Sequence, residues 1–137
     1  MENSYTQNTQ VFEEKEGFFF FFFFPIMQRK DYTGFTLLDA SPVAGLEIRL
    51  PESGKWIAID ELPGSLVVNS GDLISRWTSD AFHSTLHRVR KIEGLTERRS
   101  IVFFSGPNDA TVIKSKKYSN VVAGEYLRDK ILGSRKD

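Results

Sequence analysis

The chain has 137 residues, 18 basic and 18 acidic side chains, a formal net charge of +0 and no cysteine. That length admits one domain or part of one. The charge balance removes the electrostatic case for nucleic acid or an anionic membrane as a partner, and the missing thiols exclude disulfides, thiolate metal sites and cysteine catalysis.

The first 17 residues are polar and acidic, and seven consecutive phenylalanines follow, Phe18 to Phe24. A membrane span takes about 20 apolar residues, so this run is too short to cross a bilayer. Glu13, Glu14 and Glu16 stand where a signal peptide would be basic. A cytoplasmic location is therefore expected. Phenylalanine codons carry pyrimidines at their first two positions, so the run is a pyrimidine tract at the nucleic-acid level, and Gln28 follows with a possible CAG codon. Such a stretch has the form of an intron end read as coding sequence. Residues 1–28 are accordingly expected to lie outside the fold, as translated intron or a disordered segment. The other reading is a genuine hydrophobic N-terminal element.

From Asp31 onward the pattern is that of a β-rich domain. Phe35 to Leu38 reads as a short strand. Gly45 to Leu50 alternates, with Leu46, Ile48 and Leu50 on one side and Glu47 and Arg49 on the other. A turn at Pro51 to Gly54 and a strand at Lys55 to Ile59 complete a hairpin. Ser65 to Asn69 reads as a buried strand. Ser70-Gly71 turns into a short helix, Asp72 to Thr78, with Asp72 as its expected N-cap. Thr85, His87 and Val89 share one face of the next strand, and Arg98, Ser100, Val102 and Phe104 one face of the strand after it. Ile92 to Thr96 supplies a loop, so these two strands are expected to form a hairpin. Gly106 to Asp109 is a turn before a brief strand at Thr111 to Ile113. Gly124 to Leu132 suits a short amphipathic helix stopped by Gly133.

Several side chains have two readings. His87 is either a packed core histidine or a metal ligand. Arg98 is either a surface arginine or, with Ser100, a clamp for a carboxylate, since a planar guanidinium grips a carboxylate with two parallel hydrogen bonds. His83 is expected at a rim, Asp80 in a turn, Trp56 and Trp77 as packing aromatics, and Lys114, Lys116 and Lys117 as a solvated basic patch. Many short strands at regular spacing argue for a sandwich or jelly roll.

Asp31-Tyr-Thr-Gly-Phe-Thr-Leu-Leu38, Leu62-Pro-Gly-Ser-Leu-Val-Val-Asn-Ser-Gly-Asp72, Arg76-Trp-Thr78, Ser84-Thr-Leu-His-Arg-Val89 and Arg98-Arg-Ser100 stand in one order and spacing. In these motifs the chain resembles the isopenicillin N synthase-like branch of the 2-oxoglutarate and Fe(II)-dependent oxygenases, from Asp31 to about Leu132. The resemblance implies a mainly β fold, part of a double-stranded β-helix (jelly roll), with a short C-terminal helix. It implies Fe(II) as the metal and 2-oxoglutarate as cosubstrate. Asp31 matches the carboxylate ligand, His87 the distal histidine, and Arg98 and Ser100 the clamp for 2-oxoglutarate. It divides the chain into residues 1–28 outside the family, 29–133 as the C-terminal part of a dioxygenase domain, and a tail at 134–137. The implied activity is oxidation of a small organic substrate by O2, a hydroxylation or desaturation.

Two positions depart from the pattern. Arg29 stands where the proximal histidine should be, and Thr33 where the motif has its glycine, with Gly34 after it. Arginine stays cationic and offers no lone pair to a metal. The chain as written is therefore expected to be inactive, as a portion of an oxygenase or as a non-catalytic remnant of one.

Overall fold

The computed structural model describes residues 18–22, 28–40, 45–60, 62–90 and 99–134. In chain order the elements are β1 (Phe18–Phe22), β2 (Phe35–Ala40), β3 (Leu46–Arg49), β4 (Trp56–Ala58), β5 (Val67–Ser70), α1 (Asp72–Trp77), β6 (His87–Val89), β7 (Arg99–Ser105), β8 (Val112–Ile113), β9 (Val121–Val122) and α2 (Ala123–Ser134). One sheet has the order β1-β7-β2-β5, a second β4-β3-β6, and β8 and β9 form a two-stranded ladder. Neighbours in every sheet run antiparallel.

Period-2 alternation decides which side chains meet. Thr36 and Leu38 of β2, Val67 and Asn69 of β5, and Ser100, Val102 and Phe104 of β7 line one wall of a cavity, and Leu46, Ile48, His87 and Val89 of β3 and β6 line the other. Residues between them turn outward. Arg88 bonds Glu47 at 2.7 Å and lies 4.0 Å over the Trp56 ring, as cross-strand neighbours do. The two larger sheets thus enclose the cavity as the layers of a partial jelly roll.

The hairpin expected from β6 to β7 does not form. β6 pairs with β3, Leu46 opposite Val89 and Ile48 opposite His87, whereas β7 lies between β2 and β1. Both hydrogen-bonding edges of β7 are occupied, and the loop assigned to Ile92–Thr96 lies outside the described residues. His87 and Ser100 face the same space across two layers and not from adjacent strands. The Phe run, expected outside the fold, supplies β1, with Phe20 opposite Ile101. Aromatic side chains favour extended backbone, and β7 offers an edge to pair with. Ser65–Asn69 is not a buried strand: β5 is the edge of its sheet, and Val68 is 59% exposed on the outer face.

The core cluster among the described residues is Leu73, Ile113 and Ala123, all at 0% exposure, with Val121 and Tyr126 packed against it. It joins α1, the β8-β9 ladder and the start of α2. Asp72 is not the cap of α1. Gly71 holds that position without a side-chain cap, and Asp72 pairs instead with Lys130 of α2 at 2.8 Å. The helix is capped by carbonyls. The amide of Asp72 donates to Asp31 O at 2.8 Å, that of Leu73 to Tyr32 O and Thr33 O at 3.2 Å, and that of Gly71 to Gly34 O at 2.8 Å. These satisfy amides that have no partner within a helix. A Cβ at Gly71 would stand 2.4 Å from Thr33 O and 2.9 Å from Asp31 O, so this contact requires glycine for its close approach. Gly133 lies within α2 and does not stop it.

Lys117, expected in a solvated patch, is tied to Asp80, which also accepts from Tyr118 Oη at 2.7 Å and Ser75 Oγ at 3.0 Å. The bond from Lys117, then that from Tyr118, lowers the Asp80 pKa from 3.8 to about 2.

Two outcomes are expected. Gly71→Ala lowers unfolding stability by about 1–3 kcal/mol in denaturant titration, since backbone must move to admit the methyl group; an unchanged midpoint contradicts the close approach. The Asp80 carboxylate, its folded pKa depressed, adds stability above pH 3.8 that is lost as pH falls through about 2. Its carboxyl carbon resonance titrates near pH 2, and Lys117→Ala moves the midpoint upward.

Candidate metal and cosubstrate site

The site is built on the segment that passes from one sheet to the other. At its start Arg29 forms an isolated antiparallel bridge with His87, exchanging both backbone hydrogen bonds at 3.0 Å. By Phe35 the chain has joined β2. Asp31 lies between, 9% exposed. Its Oδ2 accepts from Thr36 Oγ1 at 2.6 Å and Asn69 Nδ2 at 2.8 Å. Its Oδ1 lies 3.7 Å from His87 Nε2, too far for a hydrogen bond. The contact of His87 Nδ1 with Thr85 O is 3.1 Å. A carbonyl only accepts, so Nδ1 carries the proton there and Nε2 is the ring nitrogen turned to Asp31. A histidine tied to a carbonyl in this way is oriented as a metal ligand requires.

Asp31 and His87 are thus brought together as the sequence predicts. Ser100, 6% exposed, lines the same cavity from β7. Its proposed partner Arg98 lies outside the described residues. Thr36 and Asn69, which hold the carboxylate, were not expected. Their signal is a polar residue on the inward face of a strand whose neighbours there are apolar, Leu38 for Thr36 and Val67 for Asn69. His83 is exposed, and its carbonyl accepts from Ser70 Oγ at 2.6 Å and from Thr85 Oγ1 at 3.4 Å.

The third corner does not fit a metal. Residues paired with His87 share its face of the sheet, and they are Ile48 on one side and Arg29 on the other. Desolvation lowers the Arg29 pKa, the Asp31 carboxylate opposes this, and the guanidinium remains cationic at all working pH values. Among the described residues no three His, Cys, Asp or Glu side chains stand together. A facial triad needs two imidazoles and a carboxylate, and the described residues supply one of each.

Comparison with known proteins identifies the class. The model of the 2OG-Fe(II) oxygenase superfamily matches residues 23–107, and the chain belongs to that family, whose name states its iron and its cosubstrate. A UPF0676 protein of Schizosaccharomyces pombe is 36% identical over 74% of this chain and 35% of its own length. The 2-oxoglutarate-dependent dioxygenase DAO of Oryza sativa subsp. indica is 37% identical over 63% of this chain and 28% of its own. Among solved structures, a full-length Neurospora crassa protein crystallised with alpha-KG superposes with a TM-score of 0.72 at 30% identity, over 77% of this chain and 37% of the other. The chain therefore spans about a third of the length of these relatives. No helix of the described residues is long and apolar enough to cross a membrane.

Thr36→Val tests the carboxylate clamp. It removes a hydrogen bond to a buried charge while keeping the shape of the side chain. A loss of about 1.5–3 kcal/mol in unfolding free energy is expected; a change below about 0.5 kcal/mol, the range of neutral surface substitutions, contradicts the clamp.

Proposed function

We propose that this chain is the C-terminal part of an Fe(II)/2-oxoglutarate-dependent dioxygenase domain that oxidises a small organic substrate with O2. Asp31 and His87 are two of its three iron ligands, and Ser100, with Arg98, binds the far carboxylate of 2-oxoglutarate. The observation that carries this reading is the pair of atoms Asp31 Oδ1 and His87 Nε2, set 3.7 Å apart at one cavity, the carboxylate held by Thr36 and Asn69 and the imidazole by Thr85 O. Ser100 on the facing sheet and the family membership support the cosubstrate assignment.

With Arg29 in the third corner, the chain is silent as an oxygenase. The guanidinium adds a positive charge where a divalent cation would need a neutral donor, and the fit fails on charge as well as on ligand count. Activity belongs to a form with histidine at position 29 and the length of the relatives. Substrate choice rests with loops and segments that the matched third does not contain.

Succinate release from 2-oxoglutarate, with added Fe(II) and O2, is the test. A polypeptide extended to the relatives' length and carrying Arg29→His is expected to release succinate, the same polypeptide with Arg29 to release none above background, and His87→Ala to abolish the activity. Succinate release by the Arg29 chain at a comparable rate would overturn the assignment of the third corner.

A further inference from the structure

Residues 114–120 form the tip of the β8-β9 hairpin, whose ladder pairs Val112 with Val122 and Ile113 with Val121. The tip reads Lys-Ser-Lys-Lys-Tyr-Ser-Asn, and Lys114, Lys116, Lys117, Tyr118 and Ser119 are exposed. Of all the serines and threonines in the chain, Ser119 alone has a basic residue both two and three positions before it, Lys117 and Lys116. Charge patterns beside a hydroxyl are a means by which protein kinases choose substrates. An exposed loop tip also suits access by a second protein.

The fold places a cation at the same hydroxyl. Ser119 Oγ accepts from Arg76 Nη2 at 2.9 Å, and that nitrogen also donates to Ser119 O at 2.6 Å. Arg76 stands in the last turn of α1, 5.1 Å from the Tyr118 ring centroid and 5.7 Å from that of Tyr126. A phosphoserine carries a charge of about −1.5 to −2 and three strong acceptor oxygens, and a guanidinium grips such oxygens in pairs.

We propose that Ser119 is a phosphorylation site for a basophilic serine/threonine kinase and that Arg76 receives the phosphate. In the transfer, Ser119 Oγ attacks the γ-phosphorus of ATP. The Oγ–P bond forms as the bond from that phosphorus to the bridging oxygen breaks, ADP leaves, and the hydroxyl proton passes to the kinase's catalytic carboxylate. The product ties the hairpin tip to α1 by hydrogen bonds with charge on both sides. α1 is the helix whose first amides hold the carbonyls of residues 31–34, so the modification acts on the element that fixes the crossing segment. The inference does not rest on the oxygenase reading, since neither Ser119 nor Arg76 lines the cavity.

The test incubates the 137-residue chain with ATP, Mg(II) and the catalytic subunit of cyclic-AMP-dependent protein kinase, a basophilic enzyme. Casein kinase 2, which reads acidic residues, is the comparison, and a peptide of residues 112–122 presents the sequence without the fold. The folded chain is expected to gain phosphate on Ser119, mapped by fragment masses, with kcat/KM within severalfold of the peptide. Ser119→Ala is expected to remove that modification, and Lys116→Ala to lower kcat/KM by at least about tenfold, the effect of one charge-assisted contact with the kinase. The phosphorus resonance of the modified chain is expected to titrate below the ordinary second phosphate pKa of about 6, and Arg76→Gln to move the midpoint up. The proposal is overturned by modification of the peptide but not of the folded chain, by no modification of either, by phosphate mapped elsewhere that persists in Ser119→Ala, by equal kcat/KM in Lys116→Ala, by equal use of Ser119 by casein kinase 2, or by a midpoint that Arg76→Gln leaves unchanged.

Discussion

The hydrogen bonds between the carbonyls of residues 31–34 and the first amides of α1 are the constraint on which the site depends. They fix a crossing segment that would otherwise be a loop between two sheets. Once it is fixed, Arg29 lies opposite His87, the Asp31 carboxylate turns inward to Thr36 and Asn69, and Gly34 passes its carbonyl to Gly71. Gly34 itself approaches Ser105 O closely enough that a Cβ would stand 2.8 Å from it. α1 in turn carries Leu73 into the core and Asp72 to Lys130, whose ammonium also lies 5.8 Å from the Tyr32 ring centroid and 5.5 Å from that of Tyr126. The crossing segment, α1 and α2 thus form one mechanical unit, and α2 is held where Leu127 and Ile131 can close the cavity.

Electrostatics give that unit its character. Two unit charges 4 Å apart interact by about 4 kcal/mol at an effective dielectric of about 20, and a divalent ion doubles the figure. A guanidinium in the third corner therefore opposes a metal on the scale of the binding energy a single added ligand would provide. The same guanidinium balances Asp31, so the buried carboxylate keeps a counter-charge without an ion. One substitution at one position of a β-bridge accounts for both effects.

Much of this was legible in the sequence where the information is local. Strict alternation placed Leu46 and Ile48, His87 and Val89, and Ser100, Val102 and Phe104 on inward faces, and all seven line the cavity. The spacing of Asp31 and His87 within the motifs identified the pair that the fold brings together. Strand partners were not legible, because pairing is decided by edges far apart in sequence: β7 took β2 and β1 in place of β6. The cap of α1 was missed because backbone carbonyls supply it, and a carbonyl has no residue signature. Asp72 was freed by this for Lys130. Thr36 and Asn69 were visible as polar residues at inward positions, but their meaning requires knowing that Asp31 lies between them in space.

The residue at position 29, bridged to His87, sets whether a divalent cation can sit beside Asp31 and His87. Paramagnetic broadening of the His87 ring and Asp31 resonances by Mn(II) measures this directly, with the chain compared against Arg29→His. No selective broadening is expected with Arg29, and selective broadening of both residues is expected with histidine in its place. Selective broadening of His87 and Asp31 in the Arg29 chain at the same Mn(II) concentration would contradict it.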